Sequence, residues 1–222
     1  MTPSIEIAWM TSAAFISLLA LAFTIGSFWW LHARQGRLQA FEPHTFAGSF
    51  KKNLAIRIPL ILFNTGAKPI VVQDLRMRFL DEPGTVLPLP WRNTRSRFDP
   101  GKGDYKDLPA VFAVEGRKAL ELIADFGTPF GEFAFEPKEQ RVEIEAKLGH
   151  HDGWMPLLTF TLHLENVTDP GIYLAYSNDP GQLAPSDQER ADRLFRSLAE
   201  ELKPEAASGE QVELDGRPDS VM

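Results

Sequence analysis

The chain has 222 residues, a formal net charge of −7 at pH 7 and no cysteine. The acidic balance argues against nucleic acid as the main partner, because neutralising phosphates requires a basic face. The lack of cysteine excludes disulfides and a thiol nucleophile, but it is compatible with either an oxidising or a reducing compartment.

Residues 1–40 predict a transmembrane anchor. Residues 7–31 carry no charged side chain, and at about 1.5 Å per residue a helix of that length exceeds the roughly 30 Å hydrocarbon core of a bilayer. Trp9 lies at one end of this run and Trp29 and Trp30 lie at the other, which places indole rings at both headgroup layers. A cleaved signal peptide is disfavoured because no Lys or Arg precedes the apolar run.

Basic residues after the apolar run predict its orientation. Arg34 and Arg37 follow directly, Lys51 and Lys52 come a little later, and the N-terminal flank has no basic side chain. The positive-inside rule then predicts a single-pass protein of the plasma (inner) membrane, with its N-terminus outside and residues 41–180 in the cytoplasm. A periplasmic or extracellular domain is the alternative, since β-sandwich modules on single anchors often lie there.

The first strong β pattern covers residues 54–79. Residues 54–63 alternate, with aliphatic side chains at every even position, and Pro59 implies an edge strand, a bulge or a break because proline cannot donate to a ladder. Turn residues follow at 64–69, and residues 70–79 alternate again. This order predicts an antiparallel hairpin.

Three further runs alternate, at residues 119–126, 141–148 and 158–164, and in the last of these His163 is expected to face outward. A strand at 172–176 and weaker candidates near Phe46, Val86 and Val111 raise the count to about seven to nine. Pro-Gly turns separate several of the runs, and no helical pattern lies between them. We therefore predict a mainly β fold over residues 41–180, made of two packed antiparallel sheets, with a barrel as the alternative.

The strand, Asn-x-Gly turn and Pro-Ile-x-Val strand at residues 60–72 resemble the start of immunoglobulin-like and fibronectin-like β-sandwich modules of bacterial single-pass membrane proteins. The resemblance implies an Ig-like β-sandwich. The Cys, Trp and Cys framework of true immunoglobulin domains is missing, so the resemblance concerns architecture and transfers no functional residue.

Residues 181–203 predict an amphipathic helix. Ser186 and Glu189 have the spacing of a capping box. The helix is expected to pack on the β domain or to self-associate, and the alternative is that it docks a partner protein. Residues 204–222 are polar and acidic, so we expect a disordered tail. One apolar stripe follows from helical spacing: Ala191, Leu194, Phe195, Leu198 and Leu202.

The sequence offers little catalytic chemistry. It has no Gly-x-Ser-x-Gly elbow, and adjacent His150 and His151, flanked by glycines, are expected at a solvated hairpin tip rather than in a metal site. We therefore predict neither a cofactor nor a metal.

One loop is rich in arginine. Arg92, Arg95 and Arg97 follow Trp91 and could lie against an anionic leaflet. Three aspartates between residues 99 and 107 dilute that positive field and favour an ordinary solvated loop.

These patterns predict a membrane-anchored, non-enzymatic β-sandwich interaction module. Its expected partners are the lipid bilayer and either another protein or a second copy of the chain. The expected contact residues are Arg92, Arg95 and Arg97 together with Leu194, Phe195 and Leu198 of the C-terminal helix. The alternative is a membrane-tethered ligand-binding or enzymatic domain whose site is built from loops 91–107 and 127–135.

Overall fold

The computed structural model describes residues 4–50, 54–81, 88–98, 103–128, 137–181 and 183–202. These ranges leave out the predicted tail at 204–222, Lys51 and Lys52, and residues 129–135 of the second loop. Trp9 lies within the first range, but its side chain is outside the description.

The chain begins with an apolar helix that stands apart from the β domain. Helix α1 spans Ser4–Phe28 and continues into a π-helical turn at Trp29–Ala33. In the described part of the chain, the segment Ser12–Ala33 is the one helix long and apolar enough to cross a membrane, and none of its apolar window is buried in the protein. Side chains such as Phe23 and Leu18 are exposed, which is unfavourable in water and favourable in lipid.

The rest of the described chain is mainly β, because side chains that alternate between apolar and polar fit a sheet with one buried face. The strands are β1 Leu38–Ala40, β2 Thr45–Ser49, β3 Leu54–Asn64, β4 Ile70–Phe79, β5 Leu89–Arg95, β6 Lys106–Asp107, β7 Phe112–Val114, β8 Ala119–Thr128, β9 Glu139–Leu148, β10 Trp154–His163 and β11 Leu174–Ser177. A 3₁₀ turn occupies Leu164–Asn166 and helix α2 occupies Pro185–Leu202.

All pairings are antiparallel and join the strands into one curled sheet, in the order β10-β9-β4-β5-β8-β3-β2-β11. Strand β5 makes the sheet continuous: Leu89 and Pro90 pair with β4, and Trp91–Arg95 pair with β8, with a register shift between Trp91 and Asn93. The coarse prediction of an antiparallel β domain is confirmed. The finer prediction of two separate Ig-like sheets is not confirmed, because β5 belongs to both halves.

The predicted hairpin between β3 and β4 is wrong. Strand β3 pairs with β1, β2 and β8, whereas β4 pairs with β5, β7 and β9. The turn between them contains the expected Asn and Gly, but it carries the chain from one half of the curled sheet to the other. Turn residues fix where a strand ends, and they do not decide which strand becomes its neighbour.

Pro59 lies in the middle of β3 at a position where a missing N–H is tolerated. On one side β3 pairs with β8 along ten consecutive residues. On the other side residues 55–57 pair with β2 and residues 62–64 pair with β1, so Pro59 falls between these two registers. Of the three options given by the sequence, the structure shows a local edge within a long, otherwise paired strand.

Helix α2 covers part of the core. Ala191, Phe195 and Leu198 are buried, and the Phe195 ring lies 6.2 Å from the ring of Phe50. The helix begins at Pro185, and the carbonyl of Ala184 accepts the first backbone N–H bonds, so the expected capping role of Ser186 is wrong.

Candidate functional site at the helix–domain junction

The segment that leaves the apolar helix is hydrogen-bonded to the β3–β4 turn. The carbonyl of Arg34 accepts from the backbone N–H of Ala67 at 2.9 Å, and the carbonyl of Arg37 accepts from that of Thr65 at 3.1 Å. The N–H of Arg37 in turn donates to Thr65 Oγ1 at 2.9 Å. Residues 34–37, the junction segment, therefore run along the turn as an added piece of structure and not as a free linker.

Two glycines allow this close approach. A Cβ on Gly36 would overlap the backbone of Gly66, and a Cβ on Gly66 would overlap the backbone of Gly36. The side chain of Asn64 holds the turn in shape, since its Nδ2 donates to the carbonyls of Lys68 and Val114 at 2.8 and 3.0 Å. Its Oδ1 also accepts from the N–H of Gly66 at 2.9 Å. The Asn-x-Gly pattern noted in the sequence thus serves the junction.

The end of the helix is tied to the domain as well. Arg117 lies in the β7–β8 turn and donates from Nη2 to the carbonyl of Trp30 at 2.7 Å. The guanidinium of Arg34 lies over the Trp30 ring, 4.2 Å from its centroid. Of the predicted anchor residues, the structure brings Trp30 and Arg34 together, while Trp29 and the side chain of Arg37 are exposed.

Three turns share the end of the sheet that meets the helix. The registers place Val114 opposite Ile70 and Leu148 opposite Val72, so the β3–β4, β7–β8 and β9–β10 turns all lie there. We call this the helix-proximal end. Its charged side chains are mostly basic: Arg34, Arg37, Lys68, Arg117 and Lys118. The acidic side chains there are Asp152 and Glu115, and Glu115 is paired to Lys118.

A pocket opens at the helix-proximal end, with a volume of about 540 Å³. One wall is formed by residues 35–38, which follow the helix, and another by the β9–β10 turn with His150 and His151. The hairpin tip predicted for these two histidines is confirmed, and both are exposed with ring centroids 5.9 Å apart. The apolar lining comes from β9 and β10 and includes Leu148, Met155 and Leu157.

A second polar cluster lies further along the outer face of the sheet and is closed to solvent. Arg57 is 3% exposed, and its Nη2 lies 3.0 Å from Asp104 Oδ2. Arg95 lies 3.3 Å from the same oxygen and 3.2 Å from Asp125 Oδ2. The ring of Tyr173 covers the Arg57 guanidinium at 4.7 Å. The four charges balance, so this ion-pair cluster is electrically neutral.

The ion-pair cluster is poorly suited to catalysis despite its buried charges. Burial raises the pKa of the Tyr173 phenol, which keeps it protonated, and the phenol oxygen has no hydrogen-bond partner in the described residues. Arg57 Nη1 donates to the carbonyls of Arg97 and Phe98 at 3.0 Å each. The cluster therefore fastens the loop after β5 onto β3, and its role is structural.

This arrangement locates the predicted arginine contacts. Arg95 is held in the ion-pair cluster, Arg92 is half-buried beside Gly127, and the side chain of Arg97 is exposed. On helix α2, Phe195 and Leu198 are buried against the domain, and Leu194 is half-buried. Most of these arginine and helix side chains are therefore less exposed than the sequence suggested, because the loop after β5 and helix α2 fold back onto the sheet.

One buried imidazole was missed in the sequence. His163 was expected to face outward, yet it is nearly buried at the end of the sheet away from the helix. Its Nδ1 lies 2.5 Å from Glu165 Oε1 and 4.0 Å from Glu139 Oε1. Such a set could offer ligand atoms to a divalent cation, but a hydrogen bond between His163 and Glu165 already accounts for the close contact. The carboxylate two residues after the histidine was the available signal.

No protein-family model matches the sequence, and no curated protein matches it significantly. Function must therefore be inferred from the geometry of the chain itself.

Proposed function

We propose that this chain is a membrane-anchored, non-enzymatic β module that presents an interaction surface at a fixed orientation to the bilayer. The observation that carries the proposal is the hydrogen-bonded junction between an exposed apolar helix and the β domain. A flexible tether would need no paired glycines, no side-chain hydrogen bonds from Asn64 and no hydrogen bond from Arg117 to the helix end. We further propose that the curled sheet is a variant of the two-layer Ig-like architecture.

The charge of the helix-proximal end supports a cytoplasmic domain. Five basic side chains against two acidic side chains at this end favour an anionic leaflet, and such leaflets face the cytoplasm. The N-terminus then lies outside, in the plasma (inner) membrane.

An exposed apolar patch offers a surface for a partner protein. Tyr105 and Leu108, on either side of β6, are 73% and 77% exposed, and Val111 follows at 64%. Neighbouring apolar side chains that stay in water are a common mark of protein contact. None of these three residues lines the pocket at the helix-proximal end, so a partner protein can be bound while that end faces the bilayer.

Membrane insertion and topology can be tested on the full-length chain, which has no cysteine of its own. After alkaline carbonate extraction, we expect the chain to stay in the membrane pellet. A single cysteine at Ser197, which is exposed, should react with an impermeant maleimide only after cells are opened. A chain found in the supernatant without detergent would refute the proposal of an anchored module. Labelling in intact cells would show that the domain lies on the outer side of the membrane.

The partner surface can be tested by photo-crosslinking in intact membranes. A photoreactive amino acid at Leu108 should give a defined adduct with a protein or a second copy of the chain. The matched control is the same amino acid at Lys147, an exposed position on β9. Identical products at both positions would contradict the proposed patch.

A further inference from the structure

The pocket at the helix-proximal end lies beside the point where the chain leaves the apolar helix. Its wall begins at Gln35, two residues after the π-helical turn ends at Ala33. At most about 3.6 Å separates successive residues, so residues 35–38 lie within roughly 18 Å of the helix end. With the helix in a bilayer, the pocket is at the level of the headgroups.

Four polar side chains line the pocket, and each can donate at least one N–H: Gln35, Arg37, His150 and His151. Arg37 contributes a guanidinium, and His150 and His151 each contribute an imidazole that donates at least one N–H. The lining includes no carboxylate, and within the described residues the Arg37 side chain has no ion-pair partner. An anionic group is therefore the complementary ligand.

The remainder of the pocket is apolar. Leu38, Leu148, Met155 and Leu157 line it, and a volume of about 540 Å³ lies within the range of small-ligand sites. A free inorganic anion would gain little from such a wall. A headgroup phosphate that carries a glycerol and the start of two acyl chains would use both the donors and the apolar side chains.

From this placement we propose that the pocket binds the headgroup of an anionic phospholipid, a conclusion that rests on the membrane anchoring proposed above. The phosphate is bound by Arg37, His150 and His151, and the glycerol region packs on Leu148, Met155 and Leu157. Lys68 and Lys118 on the neighbouring turns add positive charge at the same end. The bound lipid belongs to the anionic leaflet and adds a second attachment beside the helix.

The test compares lipid retention by the full-length chain in detergent micelles that contain equal amounts of phosphatidylglycerol and phosphatidylcholine. Native mass spectrometry counts the lipids that stay bound. The variant is Arg37→Gln with His150→Gln and His151→Gln. These side chains are exposed and make no described bond to the fold, so folding is preserved. The charge-matched control is Arg193→Gln, which also removes one arginine and lies exposed on α2.

The wild type and the control should retain phosphatidylglycerol over phosphatidylcholine by about tenfold or more, and the triple variant should lose this preference. Equal retention of the two lipids by the wild type, or an unchanged preference in the triple variant, overturns the proposal. A third arm adds inorganic phosphate to micelles of phosphatidylcholine alone. Binding of phosphate there with the affinity shown for the lipid would identify a free-anion site and reject the headgroup.

Failure of the lipid-binding proposal can be distinguished from failure of the proposed anchoring. Carbonate extraction tests whether α1 is inserted and does not depend on the pocket residues. A chain that stays in the membrane pellet but shows no lipid preference refutes the pocket alone.

Discussion

Replacing Arg57 by alanine gives the sharpest test of the ion-pair cluster. The substitution removes one ion pair to Asp104, two hydrogen bonds to the carbonyls of residues 97 and 98, and the stacking of a guanidinium on Tyr173. It also leaves Asp104 and Asp125, whose side chains are each 6% exposed, with Arg95 as the remaining cation of the cluster. The change therefore leaves one buried carboxylate charge without a cation to balance it.

Breaking a buried ion pair by removing one partner costs about 3–5 kcal/mol, because the remaining charge stays out of water. Arg57 is 3% exposed, so solvent screening does not reduce this cost greatly. With a urea dependence of about 2 kcal/mol per molar for a domain of this size, the midpoint of unfolding should fall by roughly 1.5–2.5 M.

The assay is urea unfolding of the full-length chain in detergent micelles, followed by tryptophan fluorescence, to which the buried Trp91 contributes. Arg193→Ala, an exposed change on α2, is the control and should stay within about 0.5 kcal/mol of the wild type. In an Asp104→Ala background, Arg57→Ala should cost less than it does alone. A midpoint shift below about 0.5 M for Arg57→Ala would refute the desolvated cluster.

Further substitutions test three separate features: two buried tyrosines, the junction and helix α2. Tyr173→Phe should leave stability at pH 7 unchanged or raise it, because the phenol has no described partner, whereas Tyr176→Phe should lose about 1 kcal/mol with its bond to the carbonyl of residue 169. Burial raises the pKa of Tyr173 and raises the pKa of Tyr176 to about 12, while unfolded tyrosines ionise near 10. The contribution of these two phenols to stability should therefore be constant below pH 10 and fall above it, so that the alkaline loss is less steep in Tyr173→Phe. Gly66→Ala should cost about 1–3 kcal/mol and expose the junction segment to trypsin, whereas Gly26→Ala meets no atom and should not. Phe195→Ala should cost about 3 kcal/mol and speed amide exchange in α2.

Each of these expectations has a contrary result. A loss of 1 kcal/mol or more in Tyr173→Phe would reveal an unseen partner for its hydroxyl. Trypsin protection of Gly66→Ala equal to that of Gly26→Ala would mean that the junction does not need the close glycine contact. Unchanged exchange in Phe195→Ala would mean that α2 is held by something other than its apolar stripe.

The long strands could be predicted because their inward side chains alternate without interruption. Residues 54–63 form most of β3, and residues 141–148 form all but the first two residues of β9, since a sheet with one buried face imposes that period on the sequence. The same period cannot say which strands become neighbours. Pairing of β3 with β8 and of β4 with β9 joins segments far apart in the chain, and no local pattern encodes it.

The junction and the ion-pair cluster could not be predicted from the sequence for a related reason. Arg57 alternates with buried isoleucines and therefore points to the outer face, where a charged side chain is ordinarily wet. The loop after β5, folded back with Asp104, and the ring of Tyr173 remove it from water. The turn at 64–68 was recognised from Asn64 and Gly66, but its partner, the junction segment, is not adjacent in sequence. Alternation reports the face of a strand and not what covers that face.

With α1 in a bilayer, as proposed, the bonded junction also sets how far the domain extends from the lipid. Strand β10 runs away from the helix for ten residues, or roughly 30 Å at about 3.3 Å per residue. A domain fixed at its base cannot sweep through a volume in search of targets. With α1 inserted and β10 along the membrane normal, contact is limited to molecules that come within that height of the lipid surface, and two copies meet most readily side by side.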